Sequence, residues 1–307
     1  MRVDETLDIC RTRFIFLHYH IFKNGGTTVE SILRREFAGG YATVHGPTDD
    51  SVLDGKNLTE FLRQRPNISA VSSHHLRYPK PVVPGWAIFD CCFLRHPLDR
   101  LVSLYNHFRR TNSSDPLSYR ARRHAPREFM KQLLRDSPHL VTDVQVTQLA
   151  NSGIFARPAN EHELERAIQM FRDTAVPGIV ERFAESLVAA EYFLKPAFPK
   201  LRLHHIPENA SRPVRPWHPR RLDEMEKTLA DLWGDDVYTA LLRLNQFDTE
   251  LFRQAQIEIQ RRLFLLPDLE ERLVDFKARC APLQLTDYAE ARERCRVEVQ
   301  VQAGAAG

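Results

Sequence analysis

The sequence predicts an α/β fold, with a central, mostly parallel sheet flanked by helices and a helical extension at the C-terminus. Two apolar runs, FIFL at 14–17 and WAIFDCCFLR at 86–95, are rich in β-branched and aromatic residues, as strands covered on both faces are. Strand-like and helix-like segments alternate along the chain, which favours a parallel sheet between helices. Apolar residues at helical spacing dominate the last third.

The first part of the chain supplies most of the sheet. Gly39-Gly40 suits a helix end because glycine adopts the left-handed conformation there. Pro97 suits a helix start, where its missing N–H has no partner to lose. The prolines of 78–84 predict a loop. We predict strands at 14–20, 41–45, 67–75 and 86–95, and helices at 26–37, 50–65 and 97–109.

The second part is predicted to be mostly helical. Residues 111–126 are polar and basic, and this composition favours an exposed loop. Pro177 predicts an edge or irregular position for its strand because proline cannot donate to the ladder. We predict strands at 174–180 and 201–206, a proline-rich loop at 208–219, and helices at 126–135, 160–172, 185–194, 222–232, 237–244 and 252–266.

The chain is interpreted as one domain. It comprises an N-terminal arm at 1–11, an α/β domain at 12–253, a helical extension of that domain at 254–296 and a flexible tail at 297–307. Neither a signal peptide nor an apolar run long enough to span a membrane is visible, so we expect a cytoplasmic protein. Five cysteines without CxxC spacing predict no disulfide framework.

The net charge of +3 is compatible with a phosphate or sulfate ligand and does not indicate a nucleic-acid binder. The oligomeric state is left open by the sequence.

A polar turn follows the first strand and precedes the first helix, an order that is P-loop-like. Glycine lets the backbone approach a ligand, and the N–H groups at the start of a helix attract an anion. A lysine and two hydroxyls favour a phosphate. The lysine precedes the glycines, however, whereas GxxxxGK[ST] places it after them, which disfavours a nucleotide kinase. A tight turn without a ligand is the alternative interpretation. The turn consists of Lys23, Asn24, Gly25, Gly26, Thr27 and Thr28.

Two more polar clusters follow predicted strands. Arg95 stands where the strand at 86–95 ends, and Ser103 lies about two turns into the next helix. An arginine fork and a hydroxyl suit a phosphate, although a salt bridge and a solvated hydroxyl would explain them equally. His74 and His75 end the strand at 67–75. Ligands of open parallel sheets lie beyond the carboxyl ends of the strands, so we expect the clusters to meet there.

These motifs together resemble the sulfotransferases that use 3′-phosphoadenosine 5′-phosphosulfate (PAPS). HIFKNGGTTVESIL resembles the 5′-phosphosulfate loop, usually close to PKTGGTS, and FLRHPLDRLVSLYNHF resembles the 3′-phosphate stretch RxPxxRxxSxY. Asn24 stands where the family usually has threonine. The similarity is greatest to carbohydrate sulfotransferases, including the heparan sulfate 2-O-sulfotransferases, and covers about residues 12–253. Weaker similarities are found in DVQVTQLANSG, VPGIVERFAESLVAAEYF, IPENASRP and LNQFDTELF.

The resemblance implies PAPS as donor, PAP as product and a carbohydrate hydroxyl as acceptor, with no metal required. Lys23 and the turn amides would stabilise the leaving 5′-phosphate, while Arg95 and Ser103 would hold the 3′-phosphate. The resembling 2-O-sulfotransferases use a histidine before an apolar residue as the base. His75, followed by Leu76, fits that context best. His74 is the second candidate and Glu30 the third.

The acceptor site is less well defined. Arginines in predicted loops suit an anionic glycan, and solvated surface charge explains each of them as well. The alternatives to a sulfotransferase are a P-loop nucleotide kinase and an inactive nucleotide-binding module. The presence of Lys23, Arg95, Ser103 and a histidine pair argues against the inactive module. The arginines are Arg77, Arg120, Arg122, Arg123, Arg212 and Arg215.

Overall fold

A parallel sheet of five strands forms the centre of the protein. The computed structural model describes residues 12–48, 51–150, 157–205 and 220–282, without the side chains of 220–226. The strand order is β2-β3-β1-β4-β5, and every neighbouring pair is parallel. The predicted α/β fold is confirmed. The strands are β1 (Arg13–Tyr19), β2 (Tyr41–Thr43), β3 (Ala70–Ser73), β4 (Trp86–Leu94) and β5 (Val176–Ile179).

Helices surround this sheet and continue beyond it toward the C-terminus. Short 3₁₀ turns at Pro138–Leu140 and Val180–Arg182 link some of them. No described helix combines the length and the apolar character needed to span a membrane. The helices are α1 (Gly26–Glu36), α2 (Gly55–Arg63), α3 (Pro97–Arg110), α4 (Pro116–Arg123), α5 (Pro126–Asp136), α6 (Val144–Ala150), α7 (Glu161–Asp173), α8 (Phe183–Leu194), α9 (Arg220–Trp233), α10 (Asp235–Leu244), α11 (Gln246–Phe264) and α12 (Leu269–Cys280).

The core has two parts. The larger one encloses the sheet, and Ile15, Phe16 and Leu17 of β1 are completely buried in it. The smaller one lies between α3, α4, α5, α9 and α10, with Trp233 fully buried among their apolar side chains. Phe22, the residue before Lys23, packs against this second core. The turn after β1 is therefore anchored to both parts.

Two local predictions are wrong. The predicted loop at 111–126 contains α4, which begins at Pro116 and is capped by Asp115, whose carboxylate accepts the Ser118 N–H at 3.0 Å. The buried face of α4 consists of small residues, Ser118 and Ala121, so the sequence shows no apolar stripe that would predict this helix. The predicted strand at 201–206 is irregular over 201–205, with Leu203 buried in the core. The remainder of that segment, the 208–219 loop, the arm at 1–11 and the tail at 297–307 lie outside the described residues.

The Pro177 prediction is confirmed, since β5 is an edge strand. The register of the central strands then fixes where the polar segments emerge. Tyr19 at the end of β1 is level with Ser73 of β3 and Cys92 of β4. The segments after these three strands therefore leave the sheet together, at the carboxyl ends of the strands.

Two buried aspartates attach α6 to α11. Asp248 accepts the N–H groups of Gln145 at 3.1 Å and Val146 at 2.8 Å, and its own N–H donates to Asp143 Oδ1 at 2.8 Å. These bonds satisfy the first amides of α6, which have no partner within the helix. Burial and the neighbouring Asp248 carboxylate raise the pKa of Asp143 to about 7.

We expect Asp143→Asn to change how stability depends on pH. The unfolded chain releases the Asp143 proton near pH 3.8, whereas the folded protein retains it to about pH 7. The free energy of unfolding of the wild type therefore falls over that interval because of this group. Asparagine does not titrate and keeps the oxygen that accepts the Asp248 N–H. The stability of the variant relative to wild type should rise between these pH values, as measured by urea unfolding.

The matched control is Asp275→Asn, which changes a carboxylate that is 68% exposed. Parallel stability curves for wild type and Asp143→Asn would contradict the expectation.

Candidate active site

The three predicted polar clusters meet at the carboxyl edge of the sheet. They follow β1, β3 and β4, which are adjacent and parallel. Arg95, after β4, donates through Nη1 to the Lys23 carbonyl at 3.2 Å. His74, after β3, lies 6.1 Å from Phe22, measured between ring centroids. The turn after β1 thus lies between the other two clusters.

The turn presents backbone N–H groups at the N-terminus of α1. Gly25 caps the helix at φ 76, a left-handed conformation that favours glycine. The N–H groups of Gly25, Gly26 and Thr27 donate to no acceptor among the described residues, unlike those of Asn24 and Thr28, which donate to Ile21 and Gly25. The positive end of the helix dipole reinforces these free donors. The turn predicted as an anion site thus presents three backbone N–H groups that have no acceptor among the described residues.

Asn24 points away from this site. Its side chain is 1% exposed, and its Nδ2 donates to the Phe93 carbonyl at 2.9 Å and to Gln145 Oε1 at 2.7 Å. The predicted contact of Asn24 with a ligand is therefore not supported by its geometry. An amide with two N–H donors can link the turn to β4 and α6 at once, which a threonine hydroxyl cannot do.

Lys23 lies in a strongly positive environment. Burial, together with the charges of Arg95 and Arg110, lowers the pKa of Lys23 to about 8. Lys23 itself adopts a left-handed backbone conformation, φ 70, which is uncommon for a residue with a side chain. Burial lowers the pKa of His107 on α3, and the charge of Lys23 lowers it further. This concentration of cationic groups favours binding of a highly charged anion.

Arg95 is paired with Asp99 in the structure. Nε donates to Asp99 Oδ2 at 2.7 Å, and Nη2 makes a second contact with the same oxygen. Ser103, two turns into α3, is half-buried, and its hydroxyl bonds none of the described residues. The salt bridge, one of the two predicted interpretations of Arg95, is thus present, and phosphate binding by this side chain stays a prediction.

Gln145 links the two clusters and was missed by the sequence reasoning. Its Oε1 accepts from Asn24 Nδ2 at 2.7 Å and from the Arg95 N–H at 2.9 Å. Its Nε2 donates to the Arg95 carbonyl at 2.9 Å and to Asp248 Oδ2 at 3.3 Å. The residue lies in the DVQVTQLANSG segment, but no local pattern indicates contacts 50 and 121 positions away.

The two candidate histidines have different partners. His74 Nδ1 lies 2.9 Å from the His20 carbonyl, so it donates there, and the neutral ring has its lone pair on Nε2. His75 Nδ1 accepts the Gly46 N–H at 2.7 Å, so the proton of the neutral ring is on Nε2. Burial lowers the pKa of His74, and the charge of the neighbouring His20 lowers it further, to about 3.

His20 and Glu30 form a further pair beneath His74. His20 Nδ1 donates to Glu30 Oε1 at 2.7 Å, and its ring lies 3.6 Å from that of His74. Burial alone would raise the pKa of Glu30, but the hydrogen bond and charge of His20 outweigh it and lower that pKa to about 2. Glu30 is therefore held as a carboxylate that already accepts hydrogen bonds, which does not favour it as the base.

The same region contains a set of possible metal ligands. His18, His20 and Glu30 each offer an atom within 4.8 Å of the others, a set that could hold a divalent cation. Ser72 Oγ donates to Glu30 at 2.9 Å and accepts from His18 Nδ1 at 2.7 Å. Hydrogen bonds thus already connect these groups as a continuous chain without an ion.

The predicted acceptor arginines are mostly committed to the protein. Arg77 is buried and donates to the His74 carbonyl at 2.8 Å, and Arg120 pairs with Asp136 at 2.8 Å. Arg122 donates to backbone carbonyls, and Arg123 stacks on Tyr119. Arg212 and Arg215 lie outside the described residues. An exposed arginine near Lys23 is Arg110, in the last turn of α3.

We expect Gly26→Ala to disrupt the site. A Cβ at Gly26 would lie 1.9 Å from His20 Nε2, so the ring or α1 must move. Overpacking of this kind costs about 1–3 kcal/mol, and the displaced ring would disturb His74. Thermal unfolding should show the loss. Gly55→Ala is the control, because Gly55 begins α2 as Gly26 begins α1 and its Cβ would be 3.3 Å from Pro81. Equal stability of the two variants would contradict the steric argument.

Comparison with known proteins agrees with the geometry. A family model described as the sulfotransferase family matches residues 7–253. A protein of Archaeoglobus fulgidus, described as uncharacterized, is 24% identical over 250 residues, which is 79% of this chain and 96% of that protein. The family model covers most of the 307 residues. The chain belongs to the sulfotransferase family.

Proposed function

We propose that the protein transfers a sulfuryl group from PAPS to a hydroxyl of a carbohydrate acceptor. The observation that carries this proposal is the contact between two anion-binding clusters. Arg95 donates to the Lys23 carbonyl, and Gln145 bonds both Asn24 and Arg95. PAPS carries anionic groups on the 5′ and 3′ positions of one ribose, so neighbouring clusters suit it. Membership of the sulfotransferase family supports the same reaction.

The residues present fit the two ends of this donor. The free N–H groups of Gly25, Gly26 and Thr27, with Lys23, would hold the 5′-phosphosulfate. Arg95 and Ser103 would hold the 3′-phosphate, with Arg95 exchanging part of its Asp99 contact for the phosphate. Thr28 is 6% exposed and has its N–H bonded within the turn, so it contributes mainly to the helix start.

The transfer requires stabilisation of one developing charge. The acceptor oxygen forms a bond to sulfur as the bond from sulfur to the 5′-phosphate oxygen breaks, and the electron pair stays on that phosphate. Lys23 and the turn amides would stabilise this oxygen. With its pKa lowered to about 8, Lys23 is still mainly protonated at neutral pH, and a bound anion raises that pKa.

The acceptor hydroxyl must also lose a proton. The hydrogen bond from His74 Nδ1 to the His20 carbonyl leaves the Nε2 lone pair of the neutral ring available. His75, the candidate favoured by the resemblance, carries its proton on Nε2 while Nδ1 accepts from Gly46. We therefore assign the base to His74 Nε2. The pKa of His74, lowered by burial and His20, keeps the ring neutral at neutral pH, and the negative charge of a bound donor would raise that pKa toward the range in which a base is effective.

The carbohydrate class of the acceptor is supported by the similarity of the turn and α3 to carbohydrate sulfotransferases. The positive charge around Lys23 would also suit an anionic acceptor. Arg110 is close enough to lower the pKa of Lys23, and both Arg109 and Arg110 are exposed.

Binding of PAP is expected to stabilise the protein, because PAP carries both phosphates of the spent donor. A ligand at 100 times its dissociation constant adds about 2.7 kcal/mol to the free energy of unfolding. Thermal unfolding would be followed with PAP, AMP and ATP with magnesium. Lys23→Ala should reduce the PAP shift, and Lys56→Ala, at an exposed lysine of α2, should not. A shift with ATP and magnesium but none with PAP would refute the sulfotransferase proposal and favour a kinase.

His74→Ala is expected to lower kcat by about 10²–10⁴ because a positioned base contributes that much. The affinity for PAP should change little, since the phosphate clusters remain. His75→Ala is the matched variant and should retain most of kcat. Sulfate transfer would be measured on a glycan identified by mass spectrometry of sulfated products. A larger loss of kcat in His75→Ala would reverse the assignment, and unchanged kcat in both variants would exclude a histidine base.

A further inference from the structure

Gln145 belongs to neither phosphate cluster, and its side-chain amide bonds both of them. It accepts from Asn24 in the turn after β1 and contacts the backbone of Arg95 after β4. We propose that Gln145 is a positioning residue that sets the separation of the two clusters, and thereby the selectivity for a nucleotide carrying both a 5′ and a 3′ phosphate. This inference rests on the proposed function.

The hydrogen bonds of this amide determine its orientation. The oxygen accepts two bonds, from Asn24 Nδ2 and the Arg95 N–H, and the nitrogen donates two, to the Arg95 carbonyl and Asp248. Rotating the amide by half a turn would place N–H against N–H and oxygen against oxygen. Gln145 is completely buried, so water cannot replace a lost partner without cost. The amide therefore has one stable orientation.

The backbone of Gln145 is fixed by hydrogen bonds to Asp248. Asp248 accepts the backbone N–H groups of Gln145 and Val146, which fixes the start of α6 against α11. Asp248 is completely buried, and burial raises its pKa, although the charge of the buried Arg100 nearby partly offsets that effect. The backbone that carries Gln145 is thus anchored in the protein interior, independently of any ligand.

The separation of the clusters matters only to a ligand that contacts both. The 3′ and 5′ groups of one ribose have a fixed covalent spacing, so a shift of one cluster relative to the other weakens binding of a nucleotide that carries both phosphates. The same shift leaves the affinity for a nucleotide with a 5′ phosphate alone nearly unchanged. The Arg95 guanidinium also touches the Lys23 carbonyl, but that side chain must turn toward a phosphate to bind it. Gln145 contacts the backbone of Arg95, which does not depend on that movement.

Gln148 provides a natural comparison. It lies one helical turn later in α6 and is also buried. Its Nε2 lies 3.4 Å from the His20 carbonyl and 3.3 Å from the His74 carbonyl, on the histidine side of the site. Truncating Gln148 should therefore affect the histidines and leave the two phosphate clusters at their normal separation.

The experiment compares Gln145→Leu with Gln148→Leu by calorimetric titration with PAP and AMP. Gln145→Leu should lower the affinity for PAP by about tenfold or more while changing that for AMP little, because small displacements at bound groups are costly. Gln148→Leu should retain the wild-type ratio of the two affinities. Steady-state assays of Gln145→Leu should show an increased KM for PAPS and a smaller change in kcat.

A second variant keeps the test decisive if Gln145→Leu does not fold. Asn24→Ser removes the turn side of the link and should reduce the ratio of PAP to AMP affinity in the same direction. An unchanged ratio in the folded variants, or an equal loss of both affinities, would overturn the positioning role, since a general loss of stability affects both ligands alike. A wild-type protein without preference for PAP over AMP would instead refute the proposed function, and with it this inference.

Discussion

Parallel pairing of β1 with both β3 and β4 is the constraint on which the site depends. Tyr19 is level with Ser73 on one side and with Cys92 on the other, so three chain segments leave the sheet together. Each segment contributes a different group: backbone donors and a lysine after β1, histidines after β3 and an arginine after β4. Residues more than 50 positions apart in sequence thereby become neighbours, and no loop needs to be long to bring them together.

Burial then determines how the charges of this edge behave. Lys23 and Arg95 are close together, and Asp99 compensates Arg95 while no anion is bound. Glu181 lies nearby, partly buried, and its Oε1 accepts the His96 N–H at 2.8 Å. Burial, followed by the charge of Asp99, raises the pKa of Glu181 to about 7. Part of the negative charge near Arg95 is therefore neutralised by a proton at neutral pH, which favours a positive site for an incoming anion.

The sequence predicted the features that depend on local patterns. The five strands of the sheet, the turn and the helix starting at Pro97 follow from apolar runs, glycines and proline, and these elements lie close to their predicted positions. The inward direction of Asn24 could not be predicted, because it depends on Phe93 and Gln145, which are 69 and 121 positions away. The helix α4 was missed for another reason, since its buried face carries small residues that produce no apolar stripe.

The pair of adjacent histidines shows where local sequence stops being informative. Neighbouring strand residues point to opposite faces, so the sequence indicates that the two rings differ but not which one faces the donor. The difference is set by backbone partners from other segments, the His20 carbonyl for His74 and the Gly46 N–H for His75. The carbonyl accepts a hydrogen bond from His74 and the N–H group donates one to His75, so the two neutral rings have opposite tautomers. Chemically identical side chains at consecutive positions thus acquire different proton-accepting atoms, and only the fold distinguishes them.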